Sequence, residues 1–568
     1  MTKTFAAAIL GMVLAVVLGG TAMAEDAAGD WIGLLDVSPA VKFHVALHVT
    51  AAGSGYAATI DSPDISHYDA PVTDLVVADG ALSFFVPSSK GNYAGRFNAA
   101  TGAWEGTWTI NGRSWPLNFT HGVLPPRPTV TGLDGDWDGA LQLGVGMKLR
   151  LAIHFKTGPH GTLGTMDSID QNAMDVGLAR IDRTESRVTF TIILVGASFQ
   201  GTLDASGQSI SGQWHQGGQD MPLVLTRRAE GQTQAVLKRP QTPVKPYPYR
   251  EEDVGFDNAA AHARLAGTLT LPQGRGPFPA VILVAGSGPN TRDEPIMGHQ
   301  LFLVIADHLT RHGIAVLRFD KRGTGASTGD YKAATTTDFA DDALAAVAYL
   351  KTRKDIDPRH IGLIGHSEGG MIVPMVAVGD PSVAYIVMMA GPGVNGADVW
   401  IEQLRLILKA ANVPDDTIAK ALTVRRAMVD IVLAQKDPAA AAVKLRALLA
   451  GSGTPAQVDA LIATVNTAWF RDFFAYDPQP MLRKVMCPVL ALDGSKDLQV
   501  SAEQNLPAIR TALADNPNAQ IIEMPNLNHL FQTATTGGIA EYAQIEETIA
   551  PVALDTMTDW IAKQNARP

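Results

Sequence analysis

The sequence predicts a multidomain protein: two repeated antiparallel β modules, then an α/β domain whose mostly parallel sheet carries helices on both faces and a helical cap. Three observations predict this. Landmarks in the N-terminal part recur at a constant offset of 106 positions, as Gly29-Asp30-Trp31 does in Gly135-Asp136-Trp137. Between the landmarks apolar and polar residues alternate, as in Val41-Lys42-Phe43-His44-Val45, the period-two signature of strands with one buried face. Beyond residue 250 continuous apolar runs alternate with helix-spaced segments, the pattern of strands covered on both faces.

Composition bounds the function. A chain of 568 residues exceeds one compact domain, and 46% hydrophobic with 18% charged residues supplies enough apolar surface for several cores. A net charge of −11 with no Lys/Arg run argues against nucleic acid. Cys487 is the single cysteine, which excludes an intrachain disulfide and a thiolate metal cluster.

Taken in order, residues 1–24 read as a signal peptide: Lys3 supplies the positive start, Phe5 to Leu18 the apolar run, and Ala22-Met23-Ala24 the small residues before cleavage at Glu25. No later stretch reaches the ~20 apolar residues of a membrane helix, so the expectation is an exported protein, periplasmic or secreted, without a stable membrane span. Residues 25–124 and 130–228 form the two β modules, each a small barrel or sandwich. Further landmarks keep the offset: Asp61-Ser62 and Asp167-Ser168, Gly95 and Gly201, Gly106-x-Trp108 and Gly212-x-Trp214, Pro116-Leu117 and Pro222-Leu223. Trp31, Trp108, Trp137 and Trp214 are read as core anchors; the alternative is a stacking platform, through which the modules would contact a glycan or envelope component. Residues 229–249, with Pro240, Pro243, Pro246 and Pro248, form a linker.

Residues 250–568 carry the chemistry. Strand-like runs at Ala280 to Val284, Ala315 to Phe319 and Ile361 to Ile364 are separated by helices near Leu301 to Arg311 and Phe339 to Thr352. The last strand leads into Gly365-His366-Ser367-Glu368-Gly369, a G-x-S-x-G turn opening a helix. Such a turn strains its central residue, and only neighbours without side chains let the two backbones pass, so Ser367 is presented as a nucleophile at a helix N-terminus. A serine hydroxyl needs a base and an orienting acid. The strand Pro488 to Leu492 runs into Asp493-Gly494-Ser495-Lys496-Asp497, and the strand Gln520 to Met524 runs into a loop ending at Asn528-His529. Asp497 is preferred to Asp493 because it lies past the Gly494 turn with more reach, and His529 is assigned as base. The oxyanion donors are assigned to the backbone N–H groups of Glu368 and of Ser287, in the loop Ala285-Gly286-Ser287-Gly288-Pro289.

These residues resemble the α/β-hydrolase superfamily, and in particular bacterial serine esterases of the carboxylesterase type. The resemblance rests on Gly286-Ser287-Gly288-Pro289 with Arg292-Asp293, the run Phe319-Asp320-Lys321-Arg322-Gly323-Thr324-Gly325-Ala326-Ser327, the Ser367 pentapeptide, Gly494 with Asp497, and Asn528-His529. It implies that Asp320 and Arg322 brace the site wall. The chain departs from many relatives at Ala285, where they carry His, and at Glu368, where many lipases have a neutral residue. Glu368 suits a helix N-terminus, and a free carboxylate there would disfavour anionic substrates.

Residues at about 395–477 form a helical insertion, with helix spacing in Trp400 to Ala411, Asp416 to Leu433, Pro438 to Leu449 and Pro455 to Trp469. Such a cap covers the catalytic face and selects the acyl or alcohol group. Its aromatic cluster, Trp469, Phe470, Phe473, Phe474 and Tyr476, is read as packing beneath the cap, with lining of an acyl pocket as the alternative. The expectation is a serine hydrolase cleaving small-molecule carboxylic esters through an acyl-enzyme, with no metal or organic cofactor. Its rivals are a peptidase or amidase with the same triad, and a glycan- or envelope-binding protein with a vestigial hydrolase domain.

Overall fold

The computed structural model describes residues 27–566, apart from positions 39–40, 54, 111–112, 145–146, 172, 230 and 233–236; the expected signal peptide lies outside the described residues. The chain divides into two compact units, one ending at Pro126 and one running from Arg127.

The first unit is a meander of antiparallel strands from Gly29–Ser38 to Arg113–His121, each paired with the next in sequence. It closes on itself. The first strand pairs with the last through Trp31 and His121. At the far side, His67–Pro71 pairs with Gly55–Ser62, the Val72 N–H still donates to Ala58 O, and from Thr73 onward the chain pairs with Ala81–Val86. One bent strand thus bridges the two open edges, and a closed barrel has no edge left to aggregate. The inward faces fill it: Trp31, Leu47, Trp104 and Phe119 are fully buried, and the Trp31 indole N–H donates to Ala27 O at 2.9 Å.

The second unit opens with the same construction, from Gly135–Gly144 to Gln219–Arg227. Here the bent strand changes partner between Leu178, whose N–H donates to Gly164 O, and Ala179, whose N–H donates to Thr191 O. Trp137 and Trp214 are fully buried, as are Trp31 and Trp104 in the first barrel, and Trp108 is 6% exposed. These rings hold the cores and present no face for stacking. In the proline-rich segment that follows, Arg239 donates to the carbonyls of Met297, Ala543 and Ile545, and the Gln241 amide bonds Thr548 and Ile549.

The remainder is built on one eight-stranded mixed sheet. Its strands are β1 (Arg250–Asn258), β2 (Ala263–Leu271), β3 (Phe278–Val284), β4 (Ala315–Phe319), β5 (Ile356–His366), β6 (Tyr385–Met389), β7 (Val489–Gly494) and β8 (Ala519–Met524). They lie in the order β1-β2-β4-β3-β5-β6-β7-β8, with β2 antiparallel to both its neighbours, β1 and β4, and every other pair parallel. Crossover helices α1 (Leu301–Arg311), α2 (Thr336–Thr352) and α3 (Glu368–Gly379) connect the central strands. Two apolar layers, one on each sheet face, bury Ile282, Leu317 and Leu363 on one side and Val281, Val316 and Ile364 on the other. Successive residues of one strand enter opposite cores, which is why these strands read as unbroken apolar runs.

Between β6 and β7 the cap comprises α4 (Gly396–Ala410), α5 (Asp415–Ala434), α6 (Pro438–Leu448), α7 (Pro455–Val465) and α8 (Ala468–Ala475). The single helix expected from Pro455 to Trp469 is two. α7 ends at Val465 with Asn466 as its C-cap, and Thr467 caps α8, its hydroxyl accepting the Phe470 N–H at 3.2 Å, so Trp469, Phe470, Phe473 and Phe474 ride on a separate helix. Four short helices complete the chain: α9 (Gln479–Leu482), α10 (Ala502–Ala512), α11 (Ile539–Tyr542) and α12 (Pro551–Asn565). Among the described residues no helix is long and apolar enough to cross a membrane.

Candidate active site

The turn from β5 into α3 holds Ser367 at φ 55°, ψ −116°, a conformation that costs a side-chain-bearing residue about 1–3 kcal/mol. Its surroundings enforce that geometry. A Cβ on Gly365 would lie 2.0 Å from Gly369 O, and one on Gly369 would lie 2.0 Å from Val284 O. The Ser367 N–H donates to Met389 O at 2.9 Å, and the side chain stays partly exposed. Ser367 thus sits at the C-terminal edge of the sheet with its hydroxyl unbonded to any described residue.

The two candidate carboxylates, Asp493 near the end of β7 and Asp497 beyond it, separate clearly. Asp497 accepts the N–H groups of Gln499 and Val500 on one oxygen, at 2.7 and 2.8 Å, and meets His529 Nδ1 with the other at 2.6 Å. Asp493 is fully buried; burial, and next the charge of Asp497, push its pKa well above the ordinary carboxyl value. Of the two, Asp497 is the one in hydrogen-bond contact with the His529 imidazole. His529 is held by a tight turn around Asn528, whose side chain accepts the N–H groups of Leu530 and Gln532 and donates to Gln532 Oε1.

The residue before Ser367 ties these loops together, a contact the sequence did not disclose. His366 is buried, with Nε2 3.0 Å from His529 O and Nδ1 3.1 Å from Glu294 Oε1, and its ring lies 4.9 Å from that of His529. Burial lowers its pKa, but the Glu294 charge and hydrogen bond more than offset this, so the net shift is upward. The same Glu294 oxygen accepts the Gly286 N–H at 2.6 Å. The buried His366–Glu294 contact therefore links the His529 loop to the glycine loop after β3. Its sequence signal was an acid directly following Arg292-Asp293.

Ser287 and Glu368 both border the site. No described residue accepts the main-chain N–H of either, and Glu368 is the first residue of α3, where such groups lack intrahelical partners. The Glu368 side chain is not the free acid the sequence suggested. It is buried, with Lys321 Nζ at 2.8 Å, Thr336 Oγ1 at 2.8 Å and the Trp469 indole N–H at 2.6 Å, so its charge is matched and turned away from solvent. Asp320 accepts from Arg292, and burial, which raises its pKa, is outweighed by that guanidinium, leaving it below the ordinary value. Arg322 grips Asp342 with two nitrogens, bracing the same wall.

Above Ser367 opens a mainly apolar cavity of about 670 Å³, whose lining includes Ser287, Trp400, Trp469, Phe470 and Phe473. This corrects the reading of the aromatic cluster as packing alone: Phe473 and Phe474 are buried in the cap core, yet Trp469, Phe470 and Phe473 also wall the cavity. The arrangement offers a serine at a strained turn, an imidazole oriented by a carboxylate, two unclaimed N–H donors and an apolar chamber.

Residues 281–541 match the model of the alpha/beta hydrolase family. Esterase EstD of Thermotoga maritima is 30% identical over 293 residues, 51% of this chain and 61% of that protein, so the chain spans about three fifths of that relative's length. Among solved structures, the alpha/beta hydrolase GrgF from Penicillium sp. sh18 is 17% identical with a TM-score of 0.36, over 56% of this chain and all of that one. The Pyrococcus furiosus esterase Pf2001 is 15% identical with a TM-score of 0.36, over 56% of this chain and 90% of that one.

Proposed function

We propose that the protein, whose residues 281–541 match the alpha/beta hydrolase family model, cleaves carboxylic esters with a Ser367-His529-Asp497 triad through an acyl-enzyme intermediate. Ser367 Oγ attacks the ester carbonyl as His529 Nε2 takes its proton; Asp497, bound to Nδ1–H, fixes the tautomer and stabilises the imidazolium. The carbonyl oxygen gains the negative charge and is met by the N–H groups of Ser287 and Glu368. The proton passes from His529 to the departing alkoxide. Water, deprotonated by the same imidazole, then attacks the acyl carbon and returns Ser367 Oγ. The observation that carries this reading is the 2.6 Å bond between His529 and Asp497, in loops fixed to the turn that strains Ser367.

The esterase name of the Thermotoga relative supports an ester over an amide. Parallel assays on p-nitrophenyl acyl esters and amino-acyl p-nitroanilides test this; turnover of the esters that disappears in Ser367→Ala is the expected result, and turnover of the anilides alone would make the protein an amidase. The apolar N-terminal run and the Ala22-Met23-Ala24 site support export. Mass spectrometry of protein secreted or released from the periplasm should find Glu25 as the first residue.

A further inference from the structure

The Gly286–Ser287 peptide belongs to the turn after β3, and on the reading above its N–H is one of two groups that meet the developing oxyanion. A backbone N–H can be aimed only by aiming its whole peptide plane. In a trans peptide the carbonyl and the N–H point to opposite sides, so holding the Gly286 carbonyl fixes the direction of the Ser287 N–H. Gly286–Ser287 is not among the chain's cis bonds. Its carbonyl oxygen is held by Lys321 Nζ at 2.6 Å and by Asn290 Nδ2 at 2.9 Å.

Lys321 is buried and every donor direction is used: Gly286 O, Glu368 Oε2 at 2.8 Å, and the Phe339 ring, whose centroid lies 4.2 Å from the ammonium. A charge-assisted bond to an amide oxygen does more than hold it. It draws electron density toward the carbonyl and makes the N–H on the opposite side of the same amide a stronger donor. The Glu368 carboxylate that balances Lys321 belongs to the residue whose own N–H is the second oxyanion donor, and it is held from the cap by the Trp469 indole.

We propose that Lys321 is a positioning residue of the oxyanion hole, aiming and polarising the Ser287 N–H through the Gly286 carbonyl. The inference rests on the ester-hydrolase reading. The competing purpose of Lys321 is structural, to neutralise the buried Glu368. Two variants separate the purposes. Lys321→Met leaves Glu368 buried and unpaired and is expected to lower stability as well as activity. Lys321→Met with Glu368→Gln removes both charges, relieving that defect while the Gly286 carbonyl still lacks its cation.

The test measures kcat and KM on a p-nitrophenyl ester, thermal stability, and inhibition by an alkyl trifluoromethyl ketone, whose adduct with the serine places an oxyanion in the hole. The proposal expects the double variant to fold with a melting temperature close to wild type and a kcat lower by about 10- to 100-fold. KM should stay within about threefold, and inhibitor affinity should fall in step with kcat/KM, the pattern of an interaction made in the transition state. Recovery of wild-type kcat in the double variant would overturn the proposal and leave Lys321 a charge-balancing residue. A loss expressed in KM with kcat kept would overturn it as well. Wild-type protein inert toward esters would instead overturn the ester-hydrolase reading and the inference with it, a pattern visible before any variant is made.

Discussion

Ser367 holds a left-handed φ that glycine would adopt freely, and the molecule concentrates the cost at one turn by making its neighbours glycine. Gly365→Ala should therefore be far worse than a typical added methyl: the new Cβ would meet the Gly369 carbonyl at 2.0 Å, and a loss of at least roughly 1–3 kcal/mol in chemical denaturation, with ester turnover falling alongside, is the expected outcome. Ser367, Asp497 and His529 stand out in the sequence as candidates because each lies beyond an apolar strand, and Asp497 and His529 come into hydrogen-bond contact in the fold. Sequence reasoning could not reach Glu294, His366 or Lys321 as members of the site. Their partners lie dozens of residues away, His366 with Glu294 and Lys321 with Glu368, and only the crossing order of the strands brings them together. Glu368 shows the same limit from the other side: its identity was plain, but not the Lys321, Thr336 and Trp469 contacts that remove it from solvent.

Among the elements, α8 carries the clearest lesson. Helix spacing ran through residue 469, yet Thr467 accepts a backbone N–H and starts a new helix, turning Trp469, Phe470 and Phe473 toward the chamber above Ser367. Local capping chemistry overrode a continuous apolar pattern, and a packing cluster became a wall. Phe470 packs its ring edge-on against Trp400 and Trp469, so truncating it enlarges the chamber without touching the Glu368 hydrogen bond. Phe470→Ala should shift the preference toward longer or bulkier acyl groups, raising kcat/KM for a decanoyl over an acetyl p-nitrophenyl ester by about tenfold relative to wild type. An unchanged chain-length profile would place the acyl group elsewhere. The helices α4, α5 and α6 fall within a few residues of their sequence-read limits because their apolar spacing and their Asp and Pro starts agree.

Over the whole molecule, alternation exposed the two β modules and the 106-residue offset exposed their kinship, but barrel closure was hidden, since one bent strand effects it by changing partner in mid-course. The repeat also duplicates a polar cluster: His48 lies between Asp30 and Asp61, and His154 between Asp136 and Asp167. Burial pulls both imidazoles' pKa down, yet the flanking carboxylates prevail and each ends above 6.5. A proton held more tightly in the folded state contributes stability that is complete below the unfolded value of 6.5 and is lost as pH climbs through the folded one. Thermal unfolding followed from about pH 6 to about pH 9 should show the barrels weakening as pH rises, and His48→Gln with His154→Gln should flatten that dependence. A melting temperature that climbs with pH would contradict the assignment. One serine among 568 residues should carry the reaction, and intact-mass measurement after treatment with a fluorophosphonate reads this out. The prediction is a single adduct, mapped to the peptide containing Ser367, absent in Ser367→Ala and formed at least about a hundredfold more slowly in His529→Gln; labelling that survives Ser367→Ala, or wild-type protein that takes up no probe, would contradict it.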